Sequence, residues 1–101
     1  MELYSKQVEK LIITEPKNRL MENVLGLGEE AGEVQGKIKK LIRDQSFSKS
    51  EIIKELGDCL FYVTAIANYL DSNLQEVADA NIKKLHDRRD RNKIKGSGDN
   101  R

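Results

Sequence analysis

Residues 20–41 read LMENVLGLGEEAGEVQGKIKKL, and the spacing of their apolar side chains decides the fold. Leu20, Val24, Leu27, Ala31, Val34, Ile38 and Leu41 follow one another at alternating intervals of four and three. That interval lays one continuous apolar seam along an α-helix. Outward from it, the chain keeps the same period. Upstream, the spacing predicts a short first helix from about Leu3 to Ile13, with Thr14 and Pro16 as the entry to the long second helix. Downstream, RDQSFSKS reads as a loop. Ser48 and Glu51 stand in capping-box relation and open a third helix carrying Ile52, Leu56, Cys59, Val63, Ala67 and Leu70. Ser72 and Gln75 repeat that spacing ahead of a fourth helix with Leu74, Ala78, Ile82 and Leu85. No stretch alternates as a half-buried strand would. The expectation is an all-α, four-helix domain over residues 1–95, followed by a polar tail, residues 96–101.

The chain has 101 residues, 35% of them charged, with a formal net charge of +1. This length suits one domain, and the charge balance argues against a generic nucleic-acid binder, which would be strongly basic. No apolar run is long enough to span a bilayer, so no membrane partner is expected. The opening MELYSKQVEK lacks the apolar stretch of a signal peptide. Cys59 is the only cysteine; it reads as a core thiol, leaves no disulfide framework and fits a cytoplasmic setting.

The chemistry lies in a doubling. Residues 27–34, LGEEAGEV, align without gaps on residues 52–59, IIKELGDC, at an offset of 25. Glu30 matches Glu55, Gly32 matches Gly57, and Glu33 matches Asp58. On each helix the first acid lies about 80° from the centre of the seam and the second about 140°, toward the same flank. Two such helices packed antiparallel along their seams bring four carboxylates together. Four like charges in one place repel, so their convergence requires a cation, or some must stay protonated. Carboxylate oxygens suit Mg²⁺, Mn²⁺ or Ca²⁺. With His86 the only histidine, zinc is poorly supported. A carboxylate-held Mg²⁺ keeps open positions that suit phosphate oxygens and a water. The competing reading is a solvated acidic face paired with lysines such as Lys37 or Lys54.

Taken in order, Glu29, Glu30 and Glu33, then Glu55 and Asp58, resemble the Glu-Glu-x-x-Glu … Glu-x-x-Asp signature of the MazG-like nucleotide pyrophosphohydrolases. These are all-α enzymes whose superfamily includes dimeric dUTPases and dCTP pyrophosphatases. GLGEEAGEV, ELGDCLFYV and EVADANIKKLHDRR carry the likeness, which extends over most of the chain. The resemblance implies Mg²⁺ (or Mn²⁺) ligation by Glu30, Glu33, Glu55 and Asp58, and cleavage of a nucleoside triphosphate between its α and β phosphates. It gives Glu29 a role in orienting or deprotonating the attacking water, or a place behind the ligands. Many relatives have Trp where this chain has Phe61, so base preference does not carry over. Diphosphates or modified nucleotides stay open as substrates, as does a non-enzymatic helical interaction module whose acidic flank binds a basic partner.

Substrate residues are expected beyond the acids. Tyr62 lies one turn after Asp58 and reads either as a sugar or base contact or as an ordinary core residue. Asn81, on the expected inner side of the fourth helix, is a ligand contact only by the resemblance. Lys84 and Arg88, spaced by four, could face the phosphates together. From Lys83 to Arg101 there are eight Lys or Arg against three Asp; such a cluster suits a triphosphate, or else simply complements the helix dipole. The tail, GSGDNR, reads as a clasp over the nucleotide, mobile without it, with Arg101 as a bidentate phosphate contact; its alternative is a passive chain end. Phe61 lies roughly opposite Leu56 and Val63 on the third helix, and Gly28, Gly32 and Gly36 form a ridge where another backbone could approach. Both features predict a homodimer or a homotetramer.

Overall fold

Helical periodicity along the chain becomes four helices in the computed structural model, which describes residues 1–46 and 48–101. They are α1 (Glu2–Leu11), α2 (Arg19–Asp44), α3 (Lys49–Tyr69) and α4 (Leu74–Asp90), with a 3₁₀ turn, Pro16–Asn18, leading into α2. No strand occurs among the described residues. The loop between α2 and α3 stands where the sequence puts it; Phe47 within it lies outside the described residues.

The helix ends follow from local chemistry. Ser48 caps α3, its hydroxyl accepting from the Glu51 N–H at 3.3 Å, as the capping box requires. For α4 the cap falls one residue later than the sequence suggests. Asn73, not Ser72, accepts from the Glu76 N–H at 2.8 Å. The reason is the way α3 stops: Asp71 turns left-handed (φ 56°), and the Ser72 N–H is taken by the Ala67 carbonyl at 2.9 Å. That pattern closes a helix and uses up Ser72.

α2 and α3 pack as an antiparallel hairpin, meeting along Asn23, Gly26 and Glu30 of α2, a residue to one side of the apolar seam. α1 lies across α3. Val8 is buried there, and the Asn68 amide donates to the Ser5 carbonyl at 3.2 Å. Arg19, at the start of α2, ties the three helices together: it pairs with Glu9 of α1, reaches the Ala65 carbonyl at 3.4 Å and stacks over the Tyr69 ring at 5.9 Å. The buried apolar residues, Val8, Ala65, Ala67 and Leu74, gather at this end.

The bundle expected from the sequence does not close within one chain. α4 packs chiefly against α3, anchored by buried Leu74. Its inner face is uncovered within the single chain: Ile82 is 55% exposed, and Ala78 and Asn81 are exposed too. The Cα radius of gyration, 16.3 Å, exceeds the roughly 13 Å of a compact domain of this length. Even the α2–α3 seam is half open, with Leu56 52% exposed. Nor does the glycine ridge pack inside the chain. A Cβ added at Gly28, Gly32 or Gly36 would meet nothing within 4 Å.

Candidate metal centre and active site

The hairpin register sets the site. Gly26 lies against Tyr62, and Glu30, one turn further along α2, lies against Asp58 and Glu55, one and two turns back along α3. One carboxylate oxygen from each of Glu30, Glu55 and Asp58 falls within 4.8 Å of the others. Glu30 and Glu55 are half-buried and Asp58 is exposed. Glu33, one turn beyond Glu30, is exposed and stands outside this trio, yet near enough for its charge to bear on Glu30.

Electrostatics mark the same place. The Glu30 pKa is raised, first by desolvation and then by the charges of Asp58, Glu55, Glu29 and Glu33. Among the described residues none of these five acids is held in an ion pair. Lys37 and Lys54, the partners of the competing reading, make no ion pair with these acids among the described residues. The donor set is all oxygen. Two oxygens on one ion lie at most twice the metal–oxygen distance apart, about 4.2 Å for Mg²⁺ and about 5 Å for Ca²⁺, so a trio within 4.8 Å suits Ca²⁺ as it stands and Mg²⁺ after a small side-chain rotation.

Three residues at the site escaped the sequence reading. Tyr4 of α1 has its phenol pKa raised, by burial first and by the charge of Asp58 second, which puts α1 beside the acids. Asn23, seven residues before Glu30 on the same helix face, is 3% exposed, and its Nδ2 has no hydrogen-bond partner. That heptad offset was the available signal; for Tyr4 there was none. Gly26 is the third. A Cβ there would sit 2.5 Å from Cε1 and Cζ of Tyr62, so the ring needs this glycine to keep its seat. The Tyr62 ring meets Phe61 edge-on, with centroids 5.4 Å apart. Both rings, with Asn23, Glu22 and the segment 11–14, line a cavity of ≈ 310 Å³. This hollow begins one turn from the acids.

The remaining candidates lie elsewhere. Glu29 is exposed next to Glu30, and Asn81 is exposed on α4. Lys84 and Arg88 meet Asp99 of the tail, at 3.1 and 3.2 Å. Arg101 spends its guanidinium on main-chain carbonyls of Lys93, Ile94 and Gly98. Among the described residues no hydrogen bond or ion pair joins these α4 and tail residues to the acids of the hairpin.

An all-helical chain with a carboxylate trio across a helical hairpin defines a class of acidic, metal-suited helical sites, and comparison with known proteins supplies the family. Residues 19–92 match the MazG nucleotide pyrophosphohydrolase domain, and the chain belongs to that family. The chain is also 44% identical over 82 residues to the Gene 37 protein of Mycobacterium phage L5, covering 76% of this chain and 72% of that protein. No solved structure matches it. No helix among the described residues is long and apolar enough to cross a membrane.

Proposed function

We propose that this protein is a Mg²⁺-dependent nucleoside triphosphate pyrophosphohydrolase that converts (d)NTP and water into (d)NMP and pyrophosphate. The observation that carries this reading is the trio Glu30, Glu55 and Asp58, within 4.8 Å and without an ion pair among the described residues. These three would hold the metal, with Glu33, one turn along α2, as a fourth ligand. When bound, the ion neutralises phosphate oxygens and makes a coordinated water more acidic. Glu29 orients the attacking water from the solvent side. Tyr62 and the cavity beside it take the sugar and base, with the Asn23 amide as a spare donor. Lys84 and Arg88, assisted by Asn81, bind the phosphates.

The test is incubation with a panel of common and damaged nucleoside triphosphates and the matching diphosphates, in Mg²⁺ and in Mn²⁺. Release of pyrophosphate and monophosphate from at least one triphosphate is expected. Orthophosphate release, or turnover of diphosphates alone, would reassign the bond that is cut. No turnover of any nucleotide would favour the interaction module instead.

Assembly is part of this proposal. A single chain leaves α4 largely uncovered, with Val77, Ile82 and Leu85 exposed, and leaves the glycine ridge facing open space. Apolar surface on that scale marks an interface. A second copy covers it and brings phosphate-binding side chains to the acids. Light scattering at micromolar protein should give the mass of a dimer or tetramer, and a strictly monomeric mass would remove this part of the proposal.

A further inference from the structure

The tail does not hang free; it is folded back on α4. Asn92 turns left-handed (φ 57°), and Gly96 and Gly98 hold φ of 129° and 86°, values that side chains resist. The reversal is locked by Arg101, whose guanidinium donates to the carbonyls of Lys93 at 3.0 Å, Ile94 at 2.9 Å and Gly98 at 2.6 Å. Arg91 adds a bond to the main-chain oxygen of Arg101 at 2.6 Å. This fold sets Asp99 on top of the two cations spaced by four. One oxygen, Oδ1, accepts from Lys84 Nζ at 3.1 Å and from Arg88 Nη2 at 3.2 Å. Arg88 Nη2 also donates to the Asp99 carbonyl at 2.8 Å and reaches the Gly98 carbonyl at 3.5 Å.

The fit is incomplete in an informative way. Arg88 is 4% exposed, yet its Nε is buried without a partner. All the tail's oxygens crowd one edge of the guanidinium. A guanidinium fork is matched when two oxygens of one anion take two of its N–H groups side by side. A phosphate can do this and still offer an oxygen to Lys84; Asp99 does not.

We infer that Asp99 is a built-in competitor: its carboxylate occupies the Lys84–Arg88 anion site of the free protein, and a substrate phosphate must displace it. The inference rests on the reading of Lys84 and Arg88 as phosphate-binding residues. The tail is then a gate over the phosphate site, opened by the ligand itself. This reverses the role expected from the sequence, where the tail clasps the nucleotide with Arg101. The low pKa of Asp99, set first by its hydrogen bonds to Lys84 and Arg88, keeps the competitor charged at neutral pH.

The test uses inorganic pyrophosphate without divalent metal, so the acids of the hairpin contribute no ion-mediated affinity. Binding is followed by calorimetry, and the tail by the amide resonances of Gly98, Asp99 and Asn100. Pyrophosphate should bind the wild type and release the tail amides into a mobile state. Asp99→Asn keeps size and removes charge. It should bind pyrophosphate roughly three- to tenfold more tightly, the range of one or two partly exposed ion pairs, and release its tail amides at correspondingly lower pyrophosphate. Asp99→Glu, which keeps the charge, should stay near wild type. Equal or weaker binding by Asp99→Asn overturns the competitor while the phosphate reading stands. Pyrophosphate binding that Arg88→Lys leaves unchanged, or no binding by any chain, overturns the phosphate reading and the competitor with it.

Discussion

Asp58→Ala is expected to lower nucleotide turnover by more than about a hundredfold, since even residues that only support metal ligands cost 10–100-fold when removed. The fold should survive. Asp58 is exposed and makes no ion pair, so its side chain contributes little packing and no salt bridge. Its loss relieves a charge that raises the pKa of Glu30, and the metal-free variant should be no less stable than the wild type. Glu33→Ala is expected to lose less, because Glu33 stands outside the trio and must rotate to reach a shared ion. The measurements are pyrophosphate release at saturating Mg²⁺ and helical circular dichroism on the same samples. Normal turnover by Asp58→Ala would mean that the chemistry is sited elsewhere. Lost turnover together with lost helicity would instead make Asp58 a structural residue.

What the sequence made legible is local. The alternating four-and-three seam of Leu20 to Leu41 gave α2 its length, but the face packed on α3 is centred a residue away, on Asn23, Gly26 and Glu30. Ser48 gave α3 its start, because a cap is a contact between residues three apart. The same rule misplaced the start of α4 by one residue. Ser72 and Asn73 both offer a capping oxygen, and the choice fell to the left-handed turn at Asp71, which no cap pattern encodes. The acidic doubling was readable, since Glu30, Glu55 and Asp58 share a flank by helical arithmetic and the hairpin needs only a short loop. Helical arithmetic names the face of a residue, not the partner that covers it. Asn81 sits on the apolar side of α4, yet within one chain it is exposed. Tyr4 and Asn23 went unnoticed for the converse reason. Their roles come from α1 crossing α3 and from a void beside α2, and both are tertiary facts. The tail reading fared unevenly for the same cause. Its glycines do adopt φ values suited to a reversal, but which anion lies over Lys84 and Arg88 depends on where the chain returns.

Removing divalent metal should make the stability of the protein depend on pH through Glu30, and restoring Mg²⁺ should reverse the loss. The pKa of Glu30 is raised in the folded state by desolvation and by its acidic neighbours. Between its ordinary value and the raised one, the folded chain holds more protons than the unfolded chain. Linkage then makes stability fall as pH rises through that window. The contribution is fully present below the ordinary value and lost above the raised one. Other carboxylates act oppositely: Asp44 and Asp99 have lowered pKa values, each held down first by its cationic partner, so they favour folding above the acid range. The Glu30 effect is therefore read as a difference between wild type and Glu30→Gln, which cannot titrate there. Without metal, the melting temperature of the wild type relative to Glu30→Gln should drop as pH rises above the ordinary carboxyl pKa of about 4.3. Mg²⁺ at a hundred times its dissociation constant adds about 2.7 kcal/mol. In a domain of this size that raises the melting temperature by roughly 10 °C or more. The Mg²⁺ shift should be larger at pH 7 than at pH 5, because protons and metal compete for the same oxygens. It should also shrink in Glu30→Gln. A Mg²⁺ shift that is equal in the two chains and flat with pH would place the ion away from the hairpin, and the carboxylate trio would then be only a cluster of repelling charges that the fold tolerates.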